Sequence, residues 1–80
     1  MFSARDDRPA LDRAIEAARG LRSGSWEAVE SWAIIALASQ DPAHLDVARS
    51  AAAGLRSGSW QSARALAWVA RAERELSGRQ

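Results

Sequence analysis

The side chains best suited to bind a ligand lie in a motif that occurs twice, Arg-Ser-Gly-Ser-Trp, at residues 22–26 and 56–60. Unpaired N–H groups at the start of a helix, a capping serine and a nearby guanidinium together favour a bound phosphate group. The candidate anion contacts are Arg22, Ser25, Arg56 and Ser59, joined by two arginines further along the chain, Arg64 and Arg71. A tight turn between two helices demands the same Ser-Gly-Ser residues, and no phosphate-binding loop with its lysine is present. The motif is therefore either an anion site or only a turn, and the sequence favours the turn.

The other residues that could do chemistry form no catalytic or metal-binding pattern. His44 is the only histidine and cysteine is absent, so no set of zinc ligands can be assembled. Asp7 and Asp12 recur 34 residues later as Asp41 and Asp46, but helix capping and first-turn charge explain these acids. No nucleophile has a base at an informative spacing. We therefore expect no enzyme activity, no cofactor and no bound metal.

The repeated motif separates predicted helices. Apolar residues recur at three- and four-residue intervals, which predicts helices at about residues 9–22, 26–39, 42–56 and 60–76. Pro9 and Pro42 suit the first turn of a helix, because a proline lacks only an N–H that would be unpaired there. Gly24 and Gly58 are free to adopt a positive φ in the short turns. The pattern is typical of two antiparallel helical hairpins.

The two hairpins share an offset of 34 residues, which also aligns identical residues outside the motif, such as Leu11 with Leu45 and Ala33 with Ala67. We interpret this as a tandem duplication, with repeat 1 at residues 7–40 and repeat 2 at residues 41–74. We expect an all-α fold in which the two αα-hairpins pack, about a pseudo-twofold axis, as a compact four-helix bundle. Residues 9–77 form this single domain, between a flexible arm at 1–8 and a tail at 78–80.

The 34-residue period of paired helices is similar to that of tetratricopeptide repeats in length and in hairpin form. The glycine and tyrosine that this family carries in its first helix are not recognisable, and the sequence contains no tyrosine. The resemblance implies an alternative architecture, a short open solenoid of two stacked αα units.

A candidate partner interface comes from apolar residues that exceed one helix face. The second predicted helix is apolar nearly all round, and the residues that point away from its inward face form this interface, together with their counterparts in the fourth helix: Trp32, Ile34, Ile35, Trp68 and Val69. The alternative is a core wider than a helical wheel allows. The inward face predicted for the fourth helix consists of Trp60, Ala63, Leu66, Ala67 and Ala70.

Composition limits the remaining function classes. The net charge is only +1, which disfavours a committed nucleic-acid binder. All eleven basic residues are arginine, and with the abundant alanine this suggests a GC-rich bacterial genome. No stretch resembles a signal peptide or a membrane span, so we expect a cytoplasmic protein.

The leading interpretation is a small helical interaction or self-assembly module, whose partner is itself, most simply as a homodimer, or another protein. The alternative is weak binding of nucleic acid or phosphate through Arg22, Arg56, Arg64 and Arg71.

Overall fold

The computed structural model describes residues 7–56 and 58–77, which contain four helices and no strand. The helices are α1 (Ala10–Arg19), α2 (Trp26–Ser39), α3 (Pro42–Ala53) and α4 (Trp60–Ser77). The predicted all-α four-helix bundle is confirmed. Residues 1–6 of the predicted arm and the predicted tail at 78–80 lie outside the described residues.

The side chains of Ser25 and Asp41 cap the starts of α2 and α3, as their positions in the sequence predict. The Ser25 hydroxyl accepts the Ala28 N–H at 3.2 Å and donates to the Arg22 carbonyl at 2.7 Å. The Asp41 carboxylate accepts the Ala43 N–H at 2.9 Å, and Pro42 occupies the first helical position of α3. Each cap satisfies an N–H group that has no partner within its helix.

Glycines end α1 and α3 earlier than the hydrophobic pattern predicts. The N–H of Gly20 bonds to the Ala17 carbonyl at 3.1 Å, and that of Gly54 bonds to the Ala51 carbonyl at 3.2 Å. These bonds span three residues instead of four, which tightens and terminates the last turn. The predicted helix ends at residues 22 and 56 are therefore wrong by three residues, because the low helix propensity of glycine outweighs the continuing apolar pattern.

Helix α2 is the centre of the bundle. Within the described residues it contacts each of the other three helices, α3 also contacts α4, and α1 contacts α2 alone. The molecule is consequently flat, with extents of 48 × 32 × 17 Å. The expected pseudo-twofold relation is wrong, because the contact of α3 with α2 has no counterpart between α1 and α4.

The core is built mainly from small side chains. Val29, Ala33 and Ala36 of α2 are fully buried, as are Ala48 of α3 and Ala65 of α4. Alanine allows helix backbones to approach closely, so a thin core still reaches the close packing of a protein interior.

Helix α4 faces the core with a different side from the one predicted. Its buried residues recur at alternating intervals of three and four positions: Ser62, Ala65, Val69, Ala72 and Leu76. All five residues predicted to point inward are exposed: Trp60, Ala63, Leu66, Ala67 and Ala70. Because alanines lie on both sides of this helix, two of its faces are apolar. The sequence pattern favours the face that carries Trp60 and Leu66, but the chain buries the other face.

The two turn glycines are both needed for their backbone conformation, but they differ in surroundings. Gly24 has φ 89° and Gly58 has φ 103°. A Cβ atom on Gly24 would lie 3.2 Å from the Gly54 carbonyl oxygen, whereas one on Gly58 would meet nothing within 4 Å. The first turn is therefore packed against the end of α3, and the second is open.

We expect Gly58→Ala to lower the free energy of unfolding by about 1 kcal/mol, the cost of a left-handed alanine. Gly24→Ala has the same backbone cost plus the close contact with Gly54, so its expected loss is about 2–3 kcal/mol. Urea denaturation of both variants measures the difference. Equal losses would contradict the tight packing of the first turn.

Candidate functional site

Three of the five residues predicted to form a partner interface belong to the core. Trp32, Ile35 and Val69 are 8%, 5% and 7% exposed. The Trp32 ring packs beside the His44 ring, with centroids 5.8 Å apart, and His44 Nδ1 lies 2.8 Å from the Ser39 hydroxyl. The expectation that these three residues are available to a partner is therefore corrected. Helix α2 is apolar nearly all round because other helices cover it on three sides. The core is therefore wider than a helical wheel predicts, as the alternative interpretation of the sequence had it.

The other two predicted interface residues lie on separate parts of the surface. Ile34 is 38% exposed and lines a groove with residues of α1. Trp68 is half-buried on α4, where the Arg71 guanidinium lies 5.6 Å from its ring centroid in a cation–π contact. The structure does not join Ile34 and Trp68 into one surface.

A continuous apolar strip instead covers the outer side of α4. This outward α4 face consists of the residues predicted to be buried: Trp60, Ala63, Leu66, Ala67 and Ala70. Trp60 is 65% exposed and Leu66 is 45% exposed. Three arginines border the strip on the same helix, at positions 64, 71 and 74. An apolar centre with a polar border is the usual composition of a protein interface.

A second apolar surface lies between α1 and α2. This α1–α2 groove has a volume of about 360 Å³ and is lined by Ala14, Ala17, Ala18, Leu21, Ser31, Ile34 and Ile35. No charged side chain of residues 7–56 or 58–77 lines it. Because α1 and α4 do not contact each other, the groove and the outward α4 face lie on separate parts of the surface.

The two copies of the repeated motif meet at one end of the bundle. A cleft of about 430 Å³ lies between them, and its lining includes Arg22, Ser25, Arg56 and Ser59. The rings of Trp26 and Trp60 lie side by side, with centroids 6.5 Å apart and planes tilted by 41°. The sequence offered no signal that the copies would be neighbours, because that contact depends on how the hairpins pack.

The serine hydroxyls of this turn cleft are used for capping. Ser25 caps α2 as described, and the Ser59 hydroxyl accepts the Ser62 N–H at 3.1 Å. The Ser62 hydroxyl in turn donates to the Arg56 carbonyl. Neither the Arg22 nor the Arg56 guanidinium forms an ion pair with residues 7–56 or 58–77. Positive charge is therefore the cleft's main remaining means of holding a ligand.

The other two candidate anion contacts are not part of this cleft. The Arg64 guanidinium forms an ion pair with the Glu30 carboxylate, in which Nη2 lies 3.0 Å from Oε2 and Nε lies 2.9 Å from Oε1. Arg71 lies over the Trp68 ring. The structure therefore brings together only the four candidates from the repeated motif.

The described part of the chain was found to hold neither a cluster of metal ligands nor a membrane-spanning helix. No group of three or more histidine, cysteine, aspartate or glutamate residues there could hold a metal ion. None of the four helices has the length and apolar character needed to cross a membrane.

Comparison of this chain with protein families, with curated proteins and with solved structures finds no match. The resemblance to tetratricopeptide repeats consequently rests on period and hairpin form alone. Three surfaces of the protein are therefore candidates for its function: the outward α4 face, the α1–α2 groove and the turn cleft.

The adjacent residues Ile34 and Ile35 test the division between core and surface. We expect Ile35→Ala to lower the free energy of unfolding by about 2–4 kcal/mol, because it leaves a cavity in a closely packed core. Ile34→Ala, the matched control, removes the same atoms from a partly exposed site and should cost about 1 kcal/mol or less. Chemical denaturation measures both. Similar losses for the two variants would show that Ile35 is not a core residue.

Proposed function

We propose that this protein is a non-catalytic self-association module that binds another copy of itself through the outward α4 face. The observation that carries the proposal is Trp60, which is 65% exposed at the start of a strip of five apolar residues. An isolated exposed apolar residue is ordinary, but a continuous strip with a large aromatic marks an interaction surface.

The energetics favour covering this strip. Complete burial of a fully exposed large aliphatic side chain gains roughly 1.5–3 kcal/mol. Trp60 is 65% exposed and Leu66 is 45% exposed, so each can still gain a part of such a stabilisation. The alanines between them allow a second helix to approach closely. The opposite side of α4 already supplies the core through residues such as Val69 and Leu76. The outward α4 face is thus left open by the folded chain.

The size of the chain adds to this argument. A domain of 80 residues buries only a little over half of its unfolded surface, so its own core stabilises it modestly. Association supplies further apolar burial and raises the stability by mass action.

The test of this proposal places a charge within the outward α4 face without disturbing the helix. Ala63→Glu is suitable because the residue is exposed and lies in the first turns of α4, where the structure has no acidic residue and a negative charge is favourable. We expect the wild-type mass measured by sedimentation equilibrium to rise with concentration, and Ala63→Glu to weaken the association at least about tenfold, or 1.4 kcal/mol.

The matched control is Ala43→Glu, the same substitution at an exposed alanine near the start of α3. It should associate like the wild type. A wild-type protein that stays at the 8.6 kDa monomer mass at millimolar concentration would overturn the proposal, as would equal association by Ala63→Glu.

A second candidate function is binding of a phosphate-bearing ligand at the turn cleft. The observation that favours it is the convergence of Arg22 and Arg56, from distant parts of the chain, around one cavity at the starts of α2 and α4. The N-terminal ends of helices carry partial positive charge and favour anions. This candidate is independent of self-association.

Inorganic pyrophosphate is the probe for the turn cleft. We expect it to shift the indole N–H resonances of Trp26 and Trp60 at low ionic strength, with an affinity that falls as salt is added. Neutralising both arginines, as Arg22→Gln with Arg56→Gln, should weaken binding at least about tenfold. Arg74→Gln on the outer side of α4 is the control. Shifts that persist in the double variant, or none at low salt, would remove this candidate.

A further inference from the structure

We infer that the surface which covers the outward α4 face is the α1–α2 groove of a second copy, so that copies join head to tail. The inference rests on the proposed self-association and specifies its geometry. The surfaces that the two halves of the chain leave open resemble the surfaces through which these halves contact each other.

The outward α4 face reproduces, at the 34-residue offset, the part of α2 that the second half of the chain covers. Three fully buried residues of α2 correspond to three exposed alanines of α4: Val29 to Ala63, Ala33 to Ala67, and Ala36 to Ala70. Leu66 likewise corresponds to Trp32, which α3 covers with His44. Helix α4 therefore presents a docking surface of the kind that α2 uses within the chain.

The first half of the chain presents the matching surface. The buried residues of α3 correspond to residues of α1 that lie open or half-open: Leu45 to Leu11, Ala48 to Ala14, and Ala51 to Ala17. On the adjoining helix, the buried Ala65 of α4 corresponds to Ser31, which lines the α1–α2 groove. The groove thus offers the side chains that α3 and α4 use when they pack on α2.

The head-to-tail arrangement reproduces two contacts that occur within the chain, an ion pair and a pair of tryptophan rings. Glu30 and Arg64 occupy corresponding positions and pair with each other inside the chain. The same register brings Arg64 of one copy towards Glu30 of the next, which is again an attraction of opposite charges. It also places Trp60 of one copy beside Trp26 of the next, repeating the pair seen within the chain.

The symmetric alternative, two outward α4 faces packed against each other, lacks this complementarity. It would bring the bordering arginines of two copies together at positions 71 and 74, which form no ion pair with residues 7–56 or 58–77. Like charges at an interface disfavour association. The head-to-tail contact avoids that repulsion.

A head-to-tail contact leaves one outward α4 face and one α1–α2 groove open at the two ends of every assembly. Such a contact forms a ring if its rotation closes and a filament if it does not. The assembly would continue the stacking of hairpins found within the chain, in the manner of repeat proteins.

Two variants that each block one surface test this geometry. Ala63→Glu blocks the outward α4 face, and Ala14→Glu places the same charge in the α1–α2 groove at an exposed position of α1. We expect each variant alone to associate at least about tenfold more weakly than the wild type. In an equimolar mixture, the outward α4 face of Ala14→Glu can still bind the α1–α2 groove of Ala63→Glu. The mixture should therefore form a 1:1 dimer that grows no further, because the other face and the other groove are blocked. Sedimentation velocity of each sample measures these masses.

The outcomes separate this inference from the proposed function. If Ala14→Glu associates like the wild type while Ala63→Glu does not, self-association through the outward α4 face stands and the head-to-tail geometry is overturned. If both variants are monomers and their mixture remains monomeric, the head-to-tail geometry is also overturned. If the wild type itself is a monomer at every concentration, both proposals fail. Circular dichroism of each variant checks that it is folded.

Discussion

The fold depends on one helix that three others can approach closely. The fully buried alanines at positions 33 and 36 project only a methyl group from α2. Neighbouring helix backbones therefore pack close to α2, without large side chains between them. This arrangement explains why α2 is apolar nearly all round while the molecule remains only 17 Å thick. A larger side chain at either position would separate helices on which the whole core relies.

The sequence predicted the helices and their turns well, because these depend on local interactions. Asp41 and Pro42 mark the start of α3, and Ser25 caps α2, as their residue types indicate. The sides on which helices pack depend on contacts between distant residues, which an alanine-rich pattern specifies poorly. The sequence pattern therefore predicts Trp32 at the surface, although it is buried, and Trp60 in the core, although it is exposed.

The candidate surfaces show the same division between local and distant information. Both copies of the repeated motif were recognised from their residue types, but their meeting around one cleft follows from the packing of α2 beside α4. The outward α4 face was found in the sequence as a set of five residues, although with the opposite orientation. A pattern of small apolar residues on two sides of one helix identifies two docking faces, and only the tertiary structure shows which of them the chain itself fills.

The contact of α1 with α2 alone has a consequence for motion. Helices α2, α3 and α4 contact one another and form a closed set, whereas α1 is held along one side only. An element with few buried contacts opens at a lower free energy than the rest of a domain, and its amide hydrogens exchange sooner with solvent. If α1 opened locally while α2, α3 and α4 stayed folded, the side of α2 that carries Ala28 and Ile35 would be exposed to solvent. Helix α1 is thus the part of the domain expected to open first, and its opening would expose buried apolar residues of α2.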